Sequence, residues 1–145
     1  MNRIALICIV VAFTTAAVVA QSQPNSQTTP AATPTPAAKV TIEGLVRDLA
    51  CPIQNPEAKA TEFNLECALE CARNGSPLVI QTKDGVLYFP ISDAVPDKDQ
   101  REKLMPFVGK YVSAVGTVYE RKGTRAIAVT EIKEMKDVHL RTDAK

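Results

Sequence analysis

The sequence predicts a mainly β domain: a five-stranded OB-like barrel with a helix between strands one and two and a short helix between strands three and four. Two observations support this fold class. Five segments of strand length alternate apolar and polar residues after residue 39, and turn residues separate them. Gly116 lies in the middle of the fourth segment, where a small barrel needs a sharp bend without a side chain. A sandwich-like five-stranded sheet with one covering helix is the alternative.

Turn and helix-end residues divide the folded part into these elements. Asn74-Gly75 is a usual helix exit, Asp84-Gly85 is a hairpin turn, and Pro106 ends a helical segment. The predicted strands are 40–51, 78–82, 86–91, 110–119 and 124–135, and the predicted helices are 58–73 and 97–105. One face of the fourth strand is expected to point into the barrel through Val112, Ala114, Gly116 and Val118.

The chain of 145 residues begins with a predicted export signal at 1–20. A short basic start with Arg3 precedes the almost wholly apolar Ile4–Ala20, which ends in small residues as secretory signals do. An uncleaved membrane anchor is the alternative, but the apolar run is short for a membrane span. The sequence therefore predicts a periplasmic or secreted protein with no stable membrane span after cleavage.

Residues 21–39 form a predicted disordered linker. From Gln21 to Ala38 only Gln, Ser, Pro, Asn, Thr and Ala occur, so no large apolar side chain offsets the entropy of ordering. The barrel domain is then 40–136, and 137–145 is a polar C-terminal tail. Of 17 basic and 16 acidic residues, cleavage removes only Arg3, so the mature charge is balanced. This balance argues against nucleic acid as a partner.

Three cysteines remain after signal cleavage, which removes Cys8: Cys51, Cys67 and Cys71. Because an exported protein meets oxidising conditions, a disulfide is the first interpretation. On a helical wheel Cys67 and Cys71 lie on the side turned to the domain, so neither is expected to face solvent. The last helical turn must return to the end of the first strand. The predicted disulfide is therefore Cys51–Cys71, with Cys51–Cys67 as second choice, and it would stabilise the fold by about 3 kcal/mol.

The odd number of cysteines keeps two other interpretations open. Two thiolates at positions i and i+4 of a helix, with a third from the preceding strand, can hold Cu(I) or Zn(II). Cys51, Cys67 and Cys71 are the ligands in this alternative, and His139 would join them only if the polar tail folds back. The third interpretation is a thiol–disulfide oxidoreductase, which needs an exposed thiol of low pKa.

No other pattern in the sequence indicates catalysis. A single histidine cannot assemble a Ser/His/Asp set by spacing, and there is no glycine-rich phosphate loop. Glu66 and Glu70 are expected to be solvated on a polar helix face. Asp48 is expected to bond local backbone at the end of the first strand, and a role beside a metal ligand is the alternative. Four aromatic residues are expected to pack in the core rather than stack on bases or sugars: Tyr88, Phe89, Tyr111 and Tyr119.

Four stretches of the folded part together resemble one protein family. They are Gly44–Cys51, Cys67–Cys71 with Gly75-Ser-Pro77, Asp84–Tyr88 and Gly109–Val118. The pattern is similar to a family of exported bacterial OB-like domains of unknown function, over nearly all of Val40–Met135. The resemblance implies the same fold and location and no particular activity. In relatives a histidine often precedes the Cys-x-x-x-Cys motif, whereas Asn64 stands near that position here.

The sequence thus predicts an exported module without enzymatic activity or cofactor, stapled by a disulfide. It would bind an unidentified small ligand or envelope partner, or serve a structural role. A periplasmic copper- or zinc-binding protein is the alternative, and a thiol oxidoreductase is the second alternative.

Overall fold

A computed structural model describes residues 39–144 of the chain. The predicted signal peptide, and all of the predicted linker except its last residue, lie outside the described residues. The strands are β1 (Lys39–Asp48), β2 (Leu78–Gln81), β3 (Leu87–Ile91), β4 (Tyr111–Arg121) and β5 (Thr124–Glu134). The helices are α1 (Ala50–Gln54), α2 (Leu65–Arg73) and α3 (Arg101–Leu104), which continues into a 3-10 turn at Met105–Phe107. None of these helices has the length and apolar character of a membrane span.

The five strands close into a barrel in the order β1-β2-β3-β5-β4, and β4 pairs again with β1. Neighbouring strands are antiparallel except β3 and β5, which run parallel with Phe89 opposite Ala126. One connection between β1 and β2 carries α1 and α2, and α3 lies between β3 and β4. The predicted OB-like barrel is therefore confirmed, and the sandwich-like alternative is wrong.

Two glycines let strands approach each other closely where the barrel curves. A Cβ atom at Gly116 would lie 2.3 Å from the carbonyl oxygen of Ala128, at a register shift between β4 and β5. A Cβ atom at Gly44 would lie 2.5 Å from the carbonyl oxygen of Gln81. Both distances are far inside van der Waals contact. The sequence predicted the bend at Gly116, whereas the matching role of Gly44 in β1 was not anticipated.

Two apolar cores lie on opposite faces of the sheet, because successive side chains of a strand alternate between its faces. The larger core fills the barrel and includes Val46, Val112 and Leu104, all fully buried. The predicted inward row of β4 is confirmed in this core. The smaller core lies outside the barrel around Leu45 and Tyr111, the strand neighbours of Val46 and Val112. The smaller core is the surface on which the β1–β2 connection packs.

The helix in that connection is shorter than predicted. The sequence predicted a helix over 58–73, but α2 spans only Leu65–Arg73, and α1 occupies part of the predicted loop. The side chain of Asn64 explains the start, since its Oδ1 accepts a hydrogen bond of 2.8 Å from the backbone N–H of Cys67. An asparagine that caps in this way begins a helix immediately after itself. The predicted helix end before Asn74 is confirmed.

The C-terminal tail supplies the other reason for the short helix. The backbone N–H of Phe63 donates to the carbonyl of Arg141, and the N–H of Arg141 donates to the carbonyl of Thr61, both at 2.9 Å. Val138 and Leu140 pack against the smaller core. The tail therefore lies as an extended segment beside residues 61–65, which keeps those residues extended as well.

Candidate functional site

The structure brings the three cysteines of the folded domain together. Their Sγ atoms all lie within 4.8 Å of one another, and the Sγ atoms of Cys51 and Cys67 are 4.0 Å apart. Cys51 is the second residue of α1, Cys67 lies in the first turn of α2, and Cys71 follows one turn later. The expectation that sulfur atoms from the end of the first strand and from the helix meet is therefore confirmed.

The three sulfur atoms form a trio of free thiols. A disulfide bond is about 2.05 Å long, roughly half the distance between the Sγ atoms of Cys51 and Cys67. The predicted Cys51–Cys71 disulfide is not formed in the structure, and neither is the second choice, Cys51–Cys67. The sulfur atoms of both predicted pairs lie near each other but beyond bonding distance.

The prediction that both helical thiols turn away from solvent is wrong for Cys67, which is exposed, while Cys51 and Cys71 are half-buried. The buried face of α2 consists of Ala68 and Ala72. Each cysteine precedes one of these alanines, so both thiols lie at the margin of the buried face rather than at its centre. A margin of this kind is open to solutes, which makes the sulfur trio accessible from solvent.

Asp48 fixes the start of α1 and hence the position of Cys51. Its Oδ2 accepts a hydrogen bond of 2.9 Å from the backbone N–H of Cys51, so the predicted bonding of Asp48 to local backbone is confirmed. The residue is fully buried. Its Oδ1 has no hydrogen-bond partner, and no cationic side chain of the described range pairs with it. A buried carboxylate without a counter-charge is unfavourable unless a cation lies nearby.

The surroundings of Cys51 and Cys67 favour the protonated form of these two thiols. Burial raises the pKa of the Cys51 thiol above its ordinary value, and the charge of Asp48 raises it further. Burial also raises the pKa of the Cys67 thiol. Catalytic thiols need the opposite shift, because the thiolate is the nucleophile. Neither Cys51 nor Cys67 therefore has the lowered pKa that the nucleophile of a thiol–disulfide oxidoreductase needs.

The remaining residues singled out in the sequence lie elsewhere. His139 is exposed and is not among the groups that surround the sulfur atoms, although the tail does fold back. Glu66 and Glu70 are exposed, as predicted. Tyr111 is buried in the smaller core and Tyr88 packs against the larger one, which confirms the packing roles of these two. The other two aromatic residues are less buried: Phe89 is half-buried, and Tyr119 is 41% exposed with its hydroxyl bonded to Asp93.

Sequence reasoning missed Arg47, which is only 4% exposed and lies beside the site. Together with Cys51 and Cys67 it lines a cleft of about 500 Å³. Its only signal in the sequence is an interruption of the strand alternation, since two charged residues follow Leu45-Val46 directly.

The site offers three soft donors. Within residues 39–144, the three cysteines are the group of His, Cys, Asp and Glu side chains arranged closely enough to share a metal ion. Comparison with protein-family models, with curated proteins and with solved structures finds no match to the chain. Function is therefore inferred from the chemistry of these residues.

Proposed function

We propose that this protein binds one soft metal ion, Cu(I) or Zn(II), through Cys51, Cys67 and Cys71, as a non-catalytic metal-binding module of the cell envelope. The main support for this proposal is the distance between the sulfur atoms. With metal–sulfur bonds of about 2.3 Å, two thiolates on one ion lie about 3.8 Å apart in a tetrahedral site and about 4.0 Å apart in a trigonal site. The Sγ atoms of Cys51 and Cys67 are 4.0 Å apart, and all three lie within 4.8 Å.

The type of donor supports a soft ion. Thiolates select Cu(I) and Zn(II), whereas magnesium and calcium prefer oxygen ligands. The buried carboxylate of Asp48, whose Oδ1 lacks a partner, adds negative charge next to Cys51. Because three thiolates outweigh the charge of either ion, Asp48 supports the proposed site by holding the backbone N–H of Cys51 in place and not as a counter-ion.

A metal titration of the reduced full-length chain tests the proposal. We expect one equivalent of Zn(II) after equilibrium dialysis, and Co(II) in its place should give sulfur-to-cobalt charge-transfer absorption. Replacing one ligand by serine, in Cys67→Ser or Cys71→Ser, should weaken Zn(II) binding more than about 100-fold, since loss of outer partners alone weakens metal sites 10- to 100-fold. Cys8→Ser in the same full-length chain is the matched control, because Cys8 is not one of the three proposed ligands.

The result that would overturn the proposal is retention of metal by a variant that lacks all three cysteines, or less than a tenth of an equivalent in the unmodified chain. The disulfide-stapled module would then regain support if non-reducing mass spectrometry showed a single alkylated thiol among Cys51, Cys67 and Cys71.

A further inference from the structure

The cleft beside the sulfur atoms contains a buried positive charge without a negative partner. Arg47, the penultimate residue of β1, lines this cleft together with Cys51, Cys67 and Phe63. The side chain is almost fully buried, yet it takes part in none of the ion pairs of the described residues. Buried arginines are rare unless they are paired. The cleft is thus lined by a cation that lacks its anion.

The contacts of Arg47 hold the guanidinium without neutralising it. One terminal nitrogen donates to Oε1 of Gln81 at 3.2 Å, and the guanidinium carbon lies 5.8 Å from the centre of the Phe63 ring. Gln81 is itself fixed, because its Nε2 donates to the carbonyl of Ala58 at 2.7 Å. The Nε of Arg47 has no hydrogen-bond partner. These neutral contacts hold the guanidinium in place at the cleft without pairing it with an anion.

The acidic residues of the cleft do not supply the missing anion. Glu62 is engaged by Lys59 at 3.6 Å and by Arg141. Glu57 is exposed to solvent and forms no ion pair among the described residues. No acidic side chain among residues 39–144 therefore pairs with Arg47, and a bound anion can take this place.

The metal site has an opening on the same cleft. Cys51 and Cys67 line it, so an ion held by the three sulfur atoms has one side towards the cleft. No His, Asp or Glu side chain of the described chain joins the three sulfur atoms. A zinc ion usually takes four ligands in a tetrahedron, so its fourth position is free for a molecule that enters from the cleft.

We propose that the cleft binds a small organic thiol that carries a carboxylate. The thiol sulfur takes the fourth position on the metal, and the carboxylate pairs with Arg47. Thiolate is the donor that a soft ion prefers, and a guanidinium recognises a carboxylate through two parallel hydrogen bonds. When the thiol binds, its sulfur would form a bond to the metal, a water ligand would leave the metal, and the thiol proton would pass to solvent. This inference rests on the proposed metal site.

Two thiols that differ only at the carboxylate test the inference. The Co(II)-loaded protein is titrated with mercaptoacetate and with 2-mercaptoethanol, and the shift of the cobalt absorption gives each affinity. We expect mercaptoacetate to bind about tenfold more tightly, which is the contribution of one charge-assisted pair. Arg47→Gln should abolish this preference, whereas Arg47→Lys keeps the charge and should retain part of it.

A second measurement does not depend on whether the Arg47 variants fold. In the unmodified Co(II)- or Zn(II)-loaded protein, the NMR signal of the Arg47 Nε–H should move with mercaptoacetate and stay in place with 2-mercaptoethanol. Equal affinity for the two thiols, with an unmoved Arg47 signal, would overturn the cleft inference and leave the metal site standing. Absence of any cobalt–thiolate absorption would overturn the metal site, and the cleft inference with it.

Discussion

Oδ2 of Asp48 accepts a hydrogen bond of 2.9 Å from the backbone N–H of Cys51, across the junction between β1 and α1. This contact joins the barrel to the sulfur trio, because it sets where α1 begins once the strand has ended. The same carboxylate leaves its Oδ1 without a partner in a fully buried position. Asp48 thus positions Cys51, a proposed ligand, and also places a negative charge beside it.

Replacing the charge of Asp48 while keeping its shape should strengthen metal binding at neutral pH. In Asp48→Asn the amide oxygen can still accept from the N–H of Cys51, but the negative charge is lost. We expect Zn(II) affinity at pH 7 to rise by up to about tenfold, because the pKa of Cys51 falls and protons compete less with the metal for the thiolate. Competition with a chromophoric chelator measures this change.

The metal-free Asp48→Asn protein should be no less stable than the parent, since a buried unpaired charge has been removed. Asp48→Ala is the contrasting variant, because it also removes the acceptor of the Cys51 N–H and should lower the free energy of unfolding by about 1 kcal/mol. Unchanged Zn(II) affinity in Asp48→Asn would show that the carboxylate plays no part in the site.

The Cys51 and Cys67 thiols of the metal-free protein should react slowly at neutral pH. Burial raises the pKa of both Cys51 and Cys67, so each thiol holds its proton to higher pH than an ordinary cysteine. Only the thiolate is alkylated, so the rate with iodoacetamide should stay low near pH 7 and climb only above about pH 8.5. Residue-resolved mass spectrometry measures the alkylation rate of each cysteine, with glutathione as the reference thiol. Rapid alkylation of Cys67 at pH 6 would instead support thiol–disulfide chemistry.

Metal removal should lower thermal stability without unfolding the barrel. A ligand that binds only the folded state stabilises it by about 2.7 kcal/mol at a free concentration of about 100 Kd. For a domain of this size that corresponds to a rise in Tm of more than about 8 °C, which a chelator should reverse. The barrel core contains none of the cysteines, so the far-UV circular dichroism of the metal-free protein should stay native. Loss of that signal on chelation would contradict the separation of core and site.

Substitution of Gly116 should be far more harmful than substitution of a turn glycine. In Gly116→Ala the new Cβ would lie 2.3 Å from the carbonyl oxygen of Ala128, which is backbone and cannot move aside. We expect a loss of more than about 2 kcal/mol, or no folded protein. Gly123→Ala is the control: its Cβ meets nothing, and only the left-handed φ of 84° opposes it, at about 1 kcal/mol. Urea denaturation compares the two, and equal losses would contradict the close approach at Gly116.

The barrel could be predicted from the sequence because its signals are local. Alternation along each strand, the Asp84-Gly85 turn and the bend at Gly116 each act within a few residues, and each is found in the structure. The meeting of the three cysteines could also be predicted, since the return of α2 towards the end of β1 follows from chain geometry.

The features that escaped prediction depend on contacts between distant parts of the chain. Residues 58–64 have a helical pattern, but Arg141 in the tail pairs with Thr61 and Phe63 and holds this stretch extended. Cys67 lies at the margin of the buried face of α2, beside Ala68. Arg47 contacts Gln81 and Phe63 in the folded domain, and no spacing rule along the sequence connects these three residues.

Every strand of the closed barrel is hydrogen-bonded to a neighbour on each side, because β4 pairs with both β1 and β5, and β3 with both β2 and β5. Strand-by-strand growth of fibrils requires an unpaired row of backbone N–H and C=O groups as a template. The pairing covers only part of each strand, however: β2 pairs with β1 at Leu45–Asp48, so Lys39–Gly44 pair on the β4 side alone. In the described residues, main-chain association of native copies is therefore confined to such short stretches, and the rest of the barrel backbone becomes a template only when the barrel unfolds.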